Sequence, residues 1–327
     1  MTITSTTGDV DTTEVIADKD PGVGLGGRVR LPNSDTRIGP LGHLAAERQR
    51  LAALQWQHFD AVPMAATIGA ELSGVDLCRD LPQTVIDEIH QALLEYKVVF
   101  FRDQPLTSEQ HVAFAQRFGD LEIHPFIPSN TGVPELVRFE KDAQAGGYEN
   151  GWHHDVTWRE CPSKGAILHA IQVPPTGGDT LFSDANAAYE GLDDDIKAEI
   201  DGMVAVHDFV QAFGRQVPPD KMDEMRATYP TVEHPVVSRH PETRKPLLYV
   251  NRFFVSHLVG CSEERSLELL DLLCRQFEIT EYQCRFRWAP DSVAFWDNRA
   301  VQHYACSDYW PDVRVMERAS IMGPRPH

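Results

Sequence analysis

Short apolar segments in the second half of the chain constrain its fold more than any other feature. Each has the length of one strand, and long polar inserts separate them. They cover residues 135–139, 165–171, 180–182, 246–250, 292–296 and 313–322, and residues 98–101 predict a further buried strand. Apolar residues at helical spacing predict helices over residues 41–56, 82–96, 107–118 and 262–277, with Ser108 capping the start of the third and Gly119 ending it. Helices followed by short strands predict an α+β fold with a β-sandwich or barrel core.

The N-terminal region differs in composition from the rest of the chain. Residues 1–40 are rich in Thr, Asp, Gly and Pro and poor in large apolar side chains, which is typical of a flexible or loosely docked tail. From Phe59 onward the pattern is that of a compact domain, and no linker stands out after residue 58. We therefore predict a partly flexible N-terminal tail with a short helix over residues 1–58, and one domain over residues 59–327.

Charge and cysteine usage limit the classes of partner and compartment. The formal net charge is −19, whereas nucleic acids and anionic membranes require a basic surface, so we expect neither as a partner. No apolar run approaches the roughly 20 residues of a membrane span, and the N-terminus carries no recognisable export signal. The six cysteines are scattered without a CxxC pair, which favours reduced thiols in a cytoplasmic protein.

The sharpest chemical feature is the segment GWHHDVTW at residues 151–158. In an extended strand, side chains two positions apart share a face. The pattern therefore predicts that His153 and Asp155 project together, with His154 on the opposite face. Two histidines and one carboxylate form the ligand set of non-haem iron(II) oxygenases, and His303, after the apolar strand at 292–296, is the candidate third ligand. A hydrogen-bonded His–Asp pair near a turn, and a structural role for His303, are the alternatives.

Two arginines recur on one face of the last predicted strand. Residues 313–322 place Arg314 and Arg318 on the same face, together with Met316 and Ser320. Guanidinium groups among apolar neighbours are costly unless they meet anions, and their geometry suits carboxylate, sulfonate and phosphate groups. The alternative is a solvated face on which both arginines serve solubility.

Taken together, these blocks resemble the taurine dioxygenase (TauD/TfdA) family of iron(II)- and 2-oxoglutarate-dependent oxygenases. The blocks are VVFFRDQ (98–104), AQRFGDLEIHP (115–125), WHHDVTW (152–158), GGDTLFSDANAAYE (177–190), WDNRAVQHYACSDY (296–309) and RVMERASIMG (314–323). Their order and spacing extend over nearly the whole chain apart from the tail. The resemblance implies a double-stranded β-helix, or jelly roll, flanked by helices.

The resemblance also implies roles for particular residues. The iron ligands would be His153, Asp155 and His303, and the residues that bind 2-oxoglutarate would be Thr180 and Arg314. The anionic group of the substrate would be held by His124 and Arg318, in a pocket lined by Val156, Phe213 and Phe254. The implied reaction consumes O2 and 2-oxoglutarate, yields succinate and CO2, and hydroxylates a small organic anion. For a sulfonate, hydroxylation beside the sulfur releases sulfite and an aldehyde. The resemblance further implies a homo-oligomer.

Two departures from the family pattern bear on the substrate. Glu149 stands where taurine-specific members carry an asparagine that positions the substrate amine, and Ile127 stands where they carry a tyrosine. The anion contacts are retained while the amine contacts differ, so other alkanesulfonates, alkyl sulfates and aryloxyalkanoates are alternatives to taurine. Outside this class, a zinc-type hydrolase and a non-catalytic jelly-roll binding protein are further alternatives. Thr180 and Arg314 argue against the hydrolase, which needs no 2-oxoglutarate site. The complete ligand triad together with both arginine positions argues against the non-catalytic binding protein.

Overall fold

The structure is a computed structural model that describes residues 40–327 except Pro128, Thr131 and Tyr148. Its α-helices are α1 (His43–Ala52), α2 (Gln83–Tyr96), α3 (Ser108–Gln116), α4 (Ala185–Glu190), α5 (Asp194–Ile200), α6 (Val210–Phe213), α7 (Met222–Thr228) and α8 (Glu263–Gln276). Its first strands are β1 (Asp60–Pro63), β2 (Ala70–Ser73), β3 (Val98–Phe101), β4 (Leu136–Lys141), β5 (Ser163–Gln172), β6 (Thr180–Asp184), β7 (Val204–His207) and β8 (Val232–Pro235). The later strands are β9 (Val237–Arg239), β10 (Pro246–Leu248), β11 (Val255–Leu258), β12 (Gln283–Phe286), β13 (Val293–Asp297), β14 (Val301–Ala305) and β15 (Arg314–Met322). Leu41–His327 form one compact unit.

Strand pairing brings distant parts of the sequence together. The largest sheet has seven strands in the order β1-β2-β3-β13-β5-β15-β4, and smaller sheets have the orders β12-β6-β14, β11-β7-β8 and β10-β9. The pairs are antiparallel except for β2 with β3. In this arrangement β15, the last strand of the chain, lies between β5 and β4, which come from the middle of the sequence. Strand β14 pairs with β6.

An apolar core joins the seven-stranded sheet to the β12-β6-β14 sheet. Phe100 of β3 stacks on Phe286 of β12 with ring centroids 4.1 Å apart, and it meets Phe182 of β6 edge-on at 5.6 Å. Trp296 and Met316 extend the same cluster from β13 and β15. A second core packs α2 and α3 against other side chains of the seven-stranded sheet, including Phe101 and Phe295. The strands that carry the candidate site are therefore held between packed layers.

Most of the elements expected from the sequence are present, with shifted ends. The predicted helices correspond to α1, α2, α3 and α8, and the apolar segments correspond to strands β3, β4, β5, β6, β10, β13 and β15. The cap of α3 is Thr107 rather than Ser108. The Thr107 hydroxyl accepts a hydrogen bond from the Gln110 backbone N–H, and the Gln110 side chain accepts one from the Thr107 backbone N–H. The four-residue strands β7, β8, β11 and β12 carry too few residues to give a periodic signal.

Strand β15 decides between the two interpretations of its arginines. Arg314 and Arg318 are 7% and 6% exposed, so the face that they share is not a solvated one. On the opposite face, Ala319 and Ile321 lie in the core beneath α2 and α3. Glu317 is also on that face, buried, and it pairs with Arg138 at 2.9 Å.

No helix within the described part of the chain combines the length and apolarity needed to cross a membrane. The six cysteines are all free, in agreement with the expectation of unpaired thiols.

Candidate active site

His153 and His303 are placed side by side by backbone hydrogen bonds. The His153 N–H donates to the His303 carbonyl at 3.2 Å, and the His303 N–H donates to the His153 carbonyl at 2.9 Å. This isolated antiparallel bridge leaves the two imidazole centroids 4.3 Å apart. His303 lies within β14, and β14 is fixed by its pairing with β6.

Asp155 reaches the two histidines from a turn rather than from a strand. Only His153 in this segment makes a β-bridge, and the chain turns from Asp155 onward, with Val156 at a φ of +49°. The prediction of an extended strand is therefore wrong, although its consequence for His153 and Asp155 holds. His154 points away from the ligand group and packs its ring on Tyr249, with centroids 4.8 Å apart.

An asparagine from the β13–β14 connection holds the turn in place. The Asn298 side-chain oxygen accepts the Asp155 backbone N–H at 2.7 Å, and its amide nitrogen donates to the Asp155 carbonyl at 3.0 Å. The same nitrogen donates to the Ser163 carbonyl at 2.8 Å, and Asn298 is fully buried. Nothing in the sequence pattern alone marked Asn298, because its partners are more than a hundred residues away.

The ligand atoms of His153, Asp155 and His303 lie within 4.8 Å of one another, so one ion can contact all three. His153 Nδ1 lies 2.8 Å from the Gly151 carbonyl, to which it donates, and this hydrogen bond leaves Nε2 as the free lone pair facing Asp155. Asp155 Oδ2 is buried without a hydrogen-bond partner among the described residues, and His303 Nε2 is 4.0 Å from it. Two imidazoles and one carboxylate, whose buried oxygen lacks a hydrogen-bond partner, fit a divalent transition metal such as iron(II).

The charge states of these groups suit metal binding. Burial lowers the pKa of His153 and His303, the latter well below its usual value, so both imidazoles are neutral and have a lone pair for a metal. Burial alone would raise the pKa of Asp155, but the charge of the Arg318 guanidinium outweighs it, and the pKa is about 2. The carboxylate is therefore ionised at neutral pH.

The three residues open into a cavity of about 530 Å³. This volume is in the range of small-molecule sites in proteins. Every site residue named from the sequence lines it: His124, His153, Asp155, Val156, Thr180, Phe213, Phe254, His303, Arg314 and Arg318.

Arg314 and Thr180 both contribute polar groups to the cavity lining. The Arg314 side chain has no hydrogen bond or ion pair to any residue that the structure describes, and its guanidinium lies 5.8 Å from the Tyr309 ring. Burial lowers its pKa from the usual arginine value, but a guanidinium stays protonated at neutral pH. The Thr180 hydroxyl accepts a hydrogen bond from Trp288 Nε1 at 2.9 Å, which leaves its own hydrogen free to donate. A buried cation and a free hydroxyl donor that line the same cavity are suited to a carboxylate.

Gly178 gives Arg314 the room that it needs. A Cβ at Gly178 would lie 3.3 Å from the Arg314 side chain and 3.3 Å from the Tyr309 ring, and the backbone there has a φ of +70°. Any larger residue would therefore be strained and would crowd the Arg314 side chain at its Cδ.

Arg318 and His124 form the second polar site. Arg318 donates to Asp155 Oδ1 at 2.8 Å, and its guanidinium lies 5.1 Å from the Phe139 ring. His124 is 8% exposed, so its ring belongs to the cavity lining and not to the solvent-exposed surface. Its Nδ1 accepts the backbone N–H groups of Phe126 and Ile127 at 3.1 and 3.0 Å, so the neutral ring carries its hydrogen on Nε2. Burial, followed by the nearby Arg318 charge, lowers the pKa of His124 to about 3, which keeps the ring neutral.

An aromatic wall completes the cavity. Phe126 stacks on Phe213 with centroids 5.0 Å apart and on Phe209 at 5.5 Å, and Phe213 lies 5.8 Å from His124. Val156 and Phe254 belong to the same apolar cluster. This wall excludes water from one side of the cavity and offers an apolar surface to the substrate.

Residues 60–320 match the family described as taurine catabolism dioxygenase TauD, TfdA family. The chain belongs to this family. It is 37% identical to an alkylsulfatase of Acinetobacter baylyi, over 80% of this chain and 84% of that protein. It is 34% identical to an alpha-ketoglutarate-dependent sulfate ester dioxygenase of Pseudomonas putida, over 82% of this chain and 90% of that protein. A crystal structure of a taurine dioxygenase from Burkholderia xenovorans superimposes with a TM-score of 0.72 at 39% identity, over 83% of this chain and 91% of that one.

Membership of the TauD/TfdA family makes the chain an oxidoreductase, an alpha-ketoglutarate-dependent dioxygenase, which the sequence had predicted. Its mixed helices and sheets agree with the α+β class.

The two departures from the taurine-specific pattern lie at the cavity lining. Glu149 pairs with Lys141 at 3.0 Å, so its carboxylate is already engaged by a cation. Ile127 presents an apolar side chain to the cavity in place of a phenol.

Sequence reasoning missed other residues of this TauD/TfdA site. The Phe253 ring stacks on the His153 imidazole with centroids 4.7 Å apart, and Gly151 leaves room for it, because a Cβ there would lie 2.3 Å from the ring. Trp288, two residues after the end of β12, orients the Thr180 hydroxyl through a hydrogen bond. Phe126 stacks on Phe213 in the aromatic wall. A glycine directly before WHH was the one signal of a close contact.

Proposed function

We propose that this protein uses iron(II), 2-oxoglutarate and O2 to hydroxylate a small organic anion that binds in the cavity. The observation that carries the proposal is the pair of buried arginines on one face of β15. Arg318 lies four positions after Arg314, or about 13 Å along a strand, so each guanidinium can serve a different anion. Arg318 contacts the carboxylate of Asp155, whereas Arg314 has no anionic partner among the described residues.

Each residue then has a defined task. His153, Asp155 and His303 would hold the iron(II), which when bound supplies the activation of O2 and the oxidation of 2-oxoglutarate to succinate and CO2. Arg314 and Thr180 bind the carboxylate of 2-oxoglutarate that is distant from the metal, because a fork of N–H donors and one O–H donor match its two oxygens. Arg318 and the Nε2–H of His124 bind the anionic group of the substrate. Both are close to Asp155, so they hold the substrate near the metal.

The substrate that we propose is a sulfonate or a sulfate ester with an apolar chain. Retained anion donors support the charged group, and Phe213, Phe254 and Ile127 support the chain. A sulfonate R–CH2–SO3⁻ would be hydroxylated at carbon and release sulfite with the aldehyde R–CHO. A sulfate ester R–CH2–OSO3⁻ would release sulfate with the same aldehyde. The relatives named above include a sulfate ester dioxygenase and an alkylsulfatase, which favours testing the ester first. An aryloxyalkanoate, whose carboxylate would occupy the same donors, is the remaining alternative within the family.

The fold supports two further proposals. We infer that the seven-stranded sheet and the β12-β6-β14 sheet form the double-stranded β-helix of the family, since they pack face to face over one apolar core. We also propose that residues 59–327 hold the catalytic domain. Helix α1 precedes that boundary, and its residues Leu44 and Leu51 are buried in the cores of the compact unit. A homo-oligomer and a cytoplasmic location stay predictions.

A substrate panel tests the proposal. Protein loaded anaerobically with iron(II) and 2-oxoglutarate is mixed with O2 and with hexyl sulfate, hexanesulfonate, taurine or phenoxyacetate. We expect succinate to form in step with aldehyde and either sulfate or sulfite. Sulfate release from hexyl sulfate with hexanol as co-product, and without O2 or 2-oxoglutarate, would instead identify a hydrolase. Preferred turnover of neutral amines or alcohols would contradict the assignment of Arg318 and His124.

A further inference from the structure

The segment after β10, residues 250–254, connects the metal-binding residues to the substrate wall. Phe253 stacks on the imidazole of His153 with an interplanar angle of 11°, and Phe254 lies 6.2 Å from Phe213 across the wall. The segment is also tied to β14, because Gln302 donates to the Val250 carbonyl at 2.5 Å. A displacement of residues 250–254 would therefore move the apolar wall relative to the metal-binding residues.

One buried side chain sets the conformation of this segment. Asn251 is 1% exposed, and its side-chain oxygen accepts the backbone N–H groups of Phe253 and Phe254 at 3.1 and 2.9 Å. Its amide nitrogen donates to Thr157 Oγ1 at 3.1 Å. The oxygen of Asn251 thus shapes the turn that carries both phenylalanines, and the nitrogen fastens that turn to the segment that carries Asp155.

Thr157 is itself held from the other side. It is fully buried two residues after Asp155, and its hydroxyl is 2.9 Å from Nδ1 of His207 on β7. Its carbonyl is 2.9 Å from Nε2 of His234 on β8. Since neither histidine is exposed, the metal turn, residues 155–158, is anchored to the β11-β7-β8 sheet by hydrogen bonds that water does not reach.

We propose that Asn251 is a positioning residue, which through its hydrogen bond to Thr157 keeps Phe253 and Phe254 in register with the metal turn. It touches neither the metal-ligand atoms nor the open volume of the cavity, so it acts only through the two phenylalanines. Arg314 and Thr180 lie on β15 and β6, outside this set of hydrogen bonds. The contact should therefore control the binding of the prime substrate and the coupling of 2-oxoglutarate oxidation to its hydroxylation, but not the affinity for 2-oxoglutarate. The choice of prime substrate rests on the proposed function.

Variants of Thr157 test the contact. Thr157→Val keeps the shape and removes Oγ1, Thr157→Ser restores the hydroxyl, and Thr228→Val makes the same change at an exposed position on α7. Asn251→Asp breaks the contact from the other side, because it keeps an oxygen for Phe253 and Phe254 but has no N–H for Thr157. It remains available should Thr157→Val not fold.

The first readout is amide hydrogen exchange of the peptide over residues 249–255 in the metal-free protein. We expect exchange about 10-fold faster in Thr157→Val and Asn251→Asp, with rates near wild type in Thr157→Ser and Thr228→Val. Unchanged exchange in the first two variants would overturn the proposal. This readout does not depend on the reaction, so it decides the role of Asn251 even if the wild-type protein oxidises no organic anion.

The second readout compares KM for hexyl sulfate with KM for 2-oxoglutarate in each variant. We expect Thr157→Val to raise KM for hexyl sulfate about 10-fold and to increase the succinate formed per aldehyde, while KM for 2-oxoglutarate stays near wild type. Thr157→Ser should return all three quantities toward wild type. Equal losses in hexyl sulfate, 2-oxoglutarate and metal binding would show a general structural role and would overturn the proposal. If wild-type protein does not oxidise hexyl sulfate, the proposed function fails and the exchange measurement still stands.

Discussion

Replacing Arg314 with alanine should weaken 2-oxoglutarate binding without weakening the fold. The guanidinium is 7% exposed and has no ion-pair partner among the described residues, so its burial costs free energy that no protein carboxylate offsets. Removing it leaves no uncompensated negative charge behind. We therefore expect Arg314→Ala to unfold at the same temperature as wild type or at a higher one.

The expected loss of affinity follows from the contacts that Arg314 would make. Deleting one partner of a buried, charge-assisted contact costs about 2–5 kcal/mol. This corresponds to a dissociation constant for 2-oxoglutarate raised by about 30-fold or more. The dissociation constant of Arg314→Lys should lie between those of wild type and Arg314→Ala, because a lysine keeps the charge but loses the bidentate geometry.

Isothermal titration of 2-oxoglutarate into Mn(II)-loaded protein measures this without turnover. Arg79→Ala is the matched control, since Arg79 is 80% exposed and pairs with Asp76 outside the cavity. The control should bind 2-oxoglutarate as wild type does. An unchanged dissociation constant in Arg314→Ala, or a clear loss of stability, would refute the assignment of this end of the cavity to 2-oxoglutarate.

Three further predictions follow from the same geometry. His153→Ala should abolish Co(II) binding, as measured by absorption titration, whereas His154→Phe should retain it. His154 packs on Tyr249, and both its ring nitrogens lack hydrogen bonds among the described residues. Loss of metal in His154→Phe alone would contradict the ligand set. Arg318→Ala should raise KM for the anionic substrate and, unlike Arg314→Ala, lower the unfolding temperature of the metal-free protein, because it leaves the buried Asp155 carboxylate without its partner; equal unfolding temperatures would contradict the ion pair. Burial and then the neighbouring His169 lower the pKa of His111 to about 4, so the free energy of unfolding should fall by about 3 kcal/mol as the pH falls from 6.5 toward 4. In His111→Gln, the free energy of unfolding measured by denaturation at each pH should fall less steeply over this range. An unaltered pH dependence would contradict the prediction.

The sequence predicted the parts of the site that depend on local periodicity. Arg314 and Arg318 are four residues apart in a regular strand, so alternation placed them on one face, and the structure agrees. His153 and Asp155 were brought together by an argument that assumed a strand, whereas a turn at Val156 and the clamp by Asn298 produce the same proximity. A two-residue spacing is compatible with both geometries, so the correct pairing did not establish the correct backbone.

The contacts that could not be predicted are those between distant segments. The bridge between His153 and His303 depends on the register of β14 with β6, and the Phe253 stack on His153 depends on a turn a hundred residues later. Periodicity carries no information on such registers. Resemblance to the family supplied Thr180, but it supplied no indication of Asn251, whose partners become visible only in the folded chain.

We propose that the two guanidinium groups on β15 bind two different anions beside one metal ion. A crystal structure of the protein with Mn(II), 2-oxoglutarate and hexyl sulfate, grown without O2, tests it most directly. We predict the ion on His153, Asp155 and His303, the far carboxylate of 2-oxoglutarate on Arg314, and the sulfate group on Arg318. A structure with the 2-oxoglutarate carboxylate on Arg318, or with the metal held by other residues, would contradict the account.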